Sequence, residues 1–150
     1  MSLLSSLPES QAALLVECRR AVLATTRQDG RPRLVPITFA PDVQRDVLYS
    51  PLDEKPKSVA DPRALGRVRD IAADPRVSVL LDRWSEDWSA LAWLRLDGRA
   101  ALIEPGDDEQ EHRAAVAGLR ERYAQYGGHG LDERPVLRVT VLAARSWSGA

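Results

Sequence analysis

Residues 77–103 read VSVLLDRWSEDWSALAWLRLDGRAALI, the stretch that most limits what this chain can fold into. Val77–Trp84 is so uniformly apolar that a strand there needs cover on both faces, which places it centrally in a sheet. Ser85–Asp87 turns the chain, and Ser89–Ile103 returns as a longer strand. A connection this short joins antiparallel neighbours. Gly98 inside the second run marks a bulge or bend, because glycine weakens a strand interior unless another backbone comes close.

The rest of the chain extends the pattern. Ala21–Phe39 reads as a β-hairpin: Ala21–Thr26 is β-rich, Asp29-Gly30 is a strong turn signal, and Leu34–Phe39 resumes β character. A turn around Pro41-Asp42 leads to a third strand, Asp46–Ser50, while residues 51–62 hold too much proline and charge for a strand. Val136–Val141 alternates cleanly and is followed by a tail containing Trp147. Helices are expected at three places. One starts at Pro8-Glu9 and carries Leu14, Leu15, Cys18 and Val22 at helical spacing. Arg63–Ala73 is a second, ended by Asp74-Pro75. The third opens at Asp107 and Asp108, carries His112, Val116, Leu119, Tyr123 and Tyr126 as a core stripe, and stops at Gly127-Gly128. Short strands joined by hairpins, with one long helix, predict a mainly β (α+β) antiparallel barrel of six strands in a single domain over 1–150, not a doubly wound sheet.

Much chemistry is excluded. With a net charge of −1 the chain has no general pull towards nucleic acid or an anionic membrane, so any anion site must be a local cluster. Neither a Gly-x-Gly-x-x-Gly nor a Walker-type loop is present. His112 and His129 are the only histidines and Cys18 the only cysteine, which argues against a closed zinc site, a serine triad or an internal disulfide. Among Leu14, Leu15 and Val22, Cys18 reads as a small buried hydrophobe. The N-terminus lacks the pattern of a signal peptide and no run is long enough to span a bilayer, so the expected location is the cytoplasm. An enzyme built this way would rely on a bound cofactor, with the protein supplying position and electrostatics.

Two stretches stand out as places to hold one. Lys55, Lys57, Arg63, Arg67, Arg69 and Arg76 concentrate positive charge between residues 55 and 76. A basic loop feeding a helix suits a phosphate or carboxylate, and a solvated basic face is the other reading. Trp84, Trp88 and Trp93 are three of the four tryptophans, with Ser89 and Arg95 beside them. Packing or dimerisation explains such a cluster, as does a wall beside a planar ring.

In AVLATTRQDGRPRLVPITFA (21–40), DVLYSPLDEKPKS (46–58), RVRDIAADPRVSVLLDRWSEDWSALAWLRLDGRA (67–100) and VLRVTV (136–141), the chain resembles the pyridoxamine 5'-phosphate oxidase-like (PPOX class) superfamily of FMN-binding split barrels. Within it, the resemblance is nearest to the deazaflavin-dependent branch that uses coenzyme F420. It implies a six-stranded antiparallel Greek-key split β-barrel with peripheral helices, and a homodimer with two cofactor sites at the subunit interface. It also implies an oxidoreductase passing hydride from F420 to a small electron-poor substrate. FMN-dependent oxidase chemistry, or non-catalytic binding of flavin, F420 or haem, is the alternative on the same fold. Carried onto this sequence, Pro36, Ile37 and Thr38 line the ring edge largely through backbone groups, and Tyr49 and Ser50 end the adjoining strand. Lys55 and Lys57 approach the phosphate, Arg67 and Arg69 fall at the second basic position, and Trp88, Ser89 and Trp93 of the second copy close the pocket. Neither nucleic acid nor membrane is an implied partner.

Overall fold

The computed structural model describes residues 1–53 and 60–150. The α-helices among these are α1 (Glu9–Glu17), α2 (Gly66–Ala73) and α3 (Glu109–Arg122). The strands are β1 (Ala21–Thr26), β2 (Pro32–Ile37), β3 (Ala40–Asp42), β4 (Val47–Pro51), β5 (Arg76–Arg83), β6 (Ala92–Ile103) and β7 (Val136–Ser148). All pairings are antiparallel, in the order β2-β1-β5-β6-β7-β4-β3. The two edge strands are consecutive in sequence, and only Thr38 and Phe39 separate Ile37 from Ala40. Three steps of extended chain reach at most ~11 Å, so the sheet must curl until its opposite edges approach. That is a split barrel. Seven strands make it, not six, because the Pro41-Asp42 turn encloses the short β3, which pairs with β4 before Asp42 caps the next turn.

The β1–β2 hairpin follows the sequence closely. Gly30 takes φ +86°, a left-handed conformation that a side chain would strain, and the Gly30 N–H donates to the Arg27 carbonyl at 2.9 Å. β5 sits between β1 and β6, as its apolar run requires, and only one of its faces is fully covered: Val77, Val79 and Leu81 point into the core while Leu80 is 40% exposed. At Gly98 the β6–β7 register slips by one, leaving Leu142 as the extra residue. A Cβ on Gly98 would lie 2.1 Å from the Thr140 carbonyl oxygen, so the two backbones meet here as only glycine allows.

Beyond that bulge β7 continues to Ser148, so Trp147 belongs to a strand and faces Trp93 across the pair. The extra residue breaks the period-two pattern at Leu142, which disguises the second half of β7 as a tail. Helix boundaries also shift. Pro62–Ala64 forms a separate short turn capped by Asp61, so α2 begins at Gly66. α3 ends at Arg122, and Tyr126 lies in a following tight turn that still packs against Leu119 and Val136. α1 ends before Cys18, and Val22 belongs to β1. Cys18 is half-buried at the edge of the core; burial, then the nearby Asp82 charge, pushes its thiol pKa up.

Asp70 ties α2 to the hairpin. Its Oδ2 accepts from Thr25 Oγ1 and from Arg33 Nε, both at 2.7 Å. Burial pushes the Asp70 pKa up, but the hydrogen bonds from Arg33 and Thr25 outweigh it and hold the carboxyl below its ordinary value. A carboxyl with a depressed folded-state pKa contributes stability that is complete above the unfolded value and lost as pH falls through the folded one. Unfolding followed in urea should therefore show stability declining below pH ~4. Asp70→Asn should flatten that decline while lowering stability at pH 7; an unaltered acid limb would mean that other carboxyls set it.

Candidate functional site

The basic stretch divides once its partners are known. Arg63 grips the Glu104 carboxylate with Nε and Nη2 at 2.8 Å each and also pairs with Asp61. Arg76 is paired with Asp74, whose carboxyl it holds down at about 2. Both are neutralised locally. Lys55 and Lys57 lie outside the described residues. Arg67 and Arg69 remain, and they diverge.

Arg67 is the exceptional one. Its Nε is fully buried and makes no hydrogen bond among the described residues. Burial pushes the guanidinium pKa down while the charge of Asp53 pulls it up. A guanidinium stays charged at any pH a protein survives, so a donor left without an acceptor here is a standing penalty, of roughly 1–3 kcal/mol. An anion delivered to Nε would remove it. The sequence supplies this placement simply: Gly66 opens α2, and Arg67 is carried in the first turn of that helix.

Asp53 links Arg67 to two further groups. The Tyr126 hydroxyl, from the turn after α3, donates to Asp53 Oδ2 at 2.7 Å, and the Tyr126 hydroxyl oxygen lies 2.7 Å from Thr38 Oγ1 at the end of β2. Arg134 Nη1 donates to the carbonyls of Leu52 and Asp53 at 3.0 and 2.9 Å, pinning the chain where it leaves β4. Four sequence-distant segments thus meet: the β2 end, the β4 exit, the start of α2 and the turn after α3. The sequence pointed to Thr38 and Arg67 but missed Asp53 and Tyr126. Asp53 stood beside the lysines in the SPLDEK run, and Tyr126 was read as part of an apolar stripe although it lies past the helix.

The other expected residues fall elsewhere. Arg69 is exposed and lines a cavity of about 260 Å³ with Arg27, Gln28, Asp29, Arg33 and Asp70. Within it Arg27 pairs with Asp29 and Arg33 with Asp70, whereas Arg69 has no partner among the described residues. Ile37 is buried and points inward. Tyr49 and Ser50 are buried on opposite faces of β4, with the Tyr49 ring in the cluster under α3. Burial, and then Glu111 and Asp42, push the Tyr49 pKa up, which makes it a poor proton donor. Ser89 Oγ donates to Asp87 Oδ1 at 2.7 Å within its own turn.

Pro36 points to the outer face of the sheet, in a cross-strand row with Val22, Leu80, Arg95 and Arg145. Leu34 on the same face is 65% exposed. Trp93 and Trp147 belong to that face as well; with Trp84, Leu80, Asp82 and Leu91 they line an apolar cavity of about 210 Å³. Trp88 is 71% exposed nearby. So much apolar side chain uncovered on one sheet face is unusual for a chain that functions alone.

A curled antiparallel sheet of seven strands with three α-helices among the described residues and a bulged β6–β7 pair is a split barrel. The sequence model of the pyridoxamine 5'-phosphate oxidase family matches residues 7–148, and the chain belongs to that family. Solved structures agree on the fold. A conserved hypothetical protein of Mycobacterium tuberculosis superposes with a TM-score of 0.70 at 20% identity, over 92% of this chain and 82% of that one. An F420 reductase gives 0.64 at 21% identity, covering 93% and 98%. A haem storage protein of Vibrio cholerae gives 0.68 at 17% identity, covering 91% and 90%. No described helix is long and apolar enough to cross a membrane.

Proposed function

We propose that this protein is an oxidoreductase that binds coenzyme F420 between two copies of the chain and serves a small electron-poor organic substrate. The observation that carries the proposal is the half-buried Arg67, whose buried Nε has no hydrogen-bond acceptor among the described residues. Arg67 takes the cofactor phosphate, with Lys55 and Lys57 contributing from the chain that precedes α2. Pro36, Ile37 and Thr38 offer backbone groups and one hydroxyl to the ring edge, and Tyr49 and Ser50 keep the neighbouring strand end rigid. Trp88, Ser89 and Trp93 of the second copy cover the ring and exclude water, which accounts for the apolar sheet face left exposed on a single chain. When bound, the reduced cofactor supplies a hydride to an electron-poor C=C or C=N bond. The protein's share of the rate is orientation.

F420 is preferred over FMN because its tail carries carboxylates beyond the phosphate. Arg69, the cation of this cavity without an acidic partner among the described residues, offers a second positive charge from which such a tail gains more than a lone phosphate does. A haem bound through His112 is disfavoured: that residue is 4% exposed and its Nε2 lies 2.6 Å from the Arg134 carbonyl, so the imidazole is committed to the fold, which leaves His129 as the other histidine a haem would use. Titrating the protein with F420, FMN and haem in parallel, followed by tryptophan fluorescence and absorbance, separates these. F420 should bind tightest, FMN more weakly, and added inorganic phosphate should weaken both. A stoichiometric Soret band with no flavin or F420 binding would sink the proposal.

A further inference from the structure

Building on the cofactor reading above, we infer that Thr38 reads the polar edge of the bound ring purely as a hydrogen-bond acceptor, its direction set by Asp53 through Tyr126. Tyr126 has one hydroxyl proton. Its oxygen lies 2.7 Å from Asp53 Oδ2 and 2.7 Å from Thr38 Oγ1. An ionised carboxylate only accepts, so Tyr126 donates to Asp53. The Thr38 hydroxyl must then donate to Tyr126. What Thr38 presents to anything else is a lone pair.

Three features keep the chain oriented this way. Arg67 sets a positive charge near Asp53, which favours the ionised carboxylate that starts it. Asp53 is buried, as is Tyr126, so water does not compete for these bonds. Tyr126 is also held edge-on against the Tyr123 ring, with centroids 5.6 Å apart, which fixes its hydroxyl in place. Thr38 itself is half-buried, at the end of β2.

A hydroxyl oxygen that accepts but cannot donate selects, in any ligand that meets it, a group bearing N–H. The pyrimidine-dione edge shared by flavins and deazaflavins carries one ring N–H between two carbonyls. Thr38 takes the N–H, and the carbonyls fall to backbone N–H groups. A ring methylated at that nitrogen is rejected. Thr38 and Tyr126 are therefore positioning residues: they choose the ring's orientation and touch no reacting atom.

The test measures dissociation constants for F420, FMN and FMN methylated at the ring N–H, on wild type, Thr38→Ser, Thr38→Val and Tyr126→Phe, with thermal melting as the fold control. Wild type should bind FMN about tenfold tighter than the methylated ring, the size expected for one hydrogen bond. Thr38→Val should weaken F420 and FMN about tenfold and abolish discrimination against the methyl group, while Thr38→Ser keeps both within about threefold of wild type. Tyr126→Phe should reduce the discrimination by freeing the Thr38 proton. Equal binding of the two FMN forms by wild type, or equal losses in the Ser and Val variants, would overturn the inference and leave the cofactor reading standing. Failure of wild type to bind either F420 or FMN would instead remove the cofactor reading itself. If Thr38→Val does not fold, the wild-type comparison and the Ser and Phe variants still decide.

Discussion

Arg67→Ala should weaken binding of the phosphate-bearing cofactor by about 10- to 100-fold without lowering the melting temperature. A charge-assisted hydrogen bond to phosphate contributes roughly 1.5–3 kcal/mol, and each 1.4 kcal/mol is tenfold in affinity. The stability half of the expectation is the more unusual. Most arginines with half their surface covered hold something together, and their removal costs stability. Arg67 leaves its buried Nε without an acceptor among the described residues, so deleting it removes a desolvated donor from the folded state. Arg63→Ala is the contrast. Arg63 is occupied by Glu104 and Asp61, so its loss should leave cofactor affinity within about twofold. A variant series in which Arg63 matters and Arg67 does not would place the anion elsewhere.

The second large effect is on folding. Gly98→Ala should destabilise the protein by about 3 kcal/mol, at the upper end for overpacking, and lower the melting temperature by roughly 6–12 °C for a chain of this size. The reason is geometric. The new methyl would sit 2.1 Å from the Thr140 carbonyl oxygen, and that obstacle is backbone in the longest strand pair of the sheet, which cannot rotate aside. Relief would require undoing the bulge. The slip at Asp97/Gly98 decides which residues of β7 reach the outer face, so loss of the bulge would also move Trp147 off its pairing with Trp93. Deleting Leu142, the extra residue, is the companion experiment. Calorimetry on Gly98→Ala showing an unchanged melting temperature would mean that the two strands separate easily.

The sequence made the local features legible and hid those created by distance. The Asp29-Gly30 hairpin, the β5–β6 pair and the bulge at Gly98 each follow from residues adjacent in the chain, and each stands where the pattern put it. β3 was hidden because strands of three residues carry almost no periodicity. The far half of β7 was hidden because a bulge reverses the alternation midway. Tyr126 shows the same limit at the site. At helical spacing from Tyr123 it looks like core, and its hydroxyl acquires meaning only when Thr38 and Asp53 arrive from the exits of β2 and β4. Arg67 differs, since charge pattern singled out a stretch of six cations without ranking them. The ranking comes from their partners: Glu104 neutralises Arg63 and Asp74 neutralises Arg76, which leaves Arg67 and Arg69, and of these two it is Arg67 whose buried Nε lacks an acceptor among the described residues.

A structure of the protein with F420 bound tests the central claim most directly. A phosphate oxygen within about 3 Å of Arg67 Nε, the distance of a charge-assisted hydrogen bond, is the result expected. A phosphate held only at the Arg27, Arg33 and Arg69 rim, with Arg67 Nε still lacking an acceptor, would contradict it.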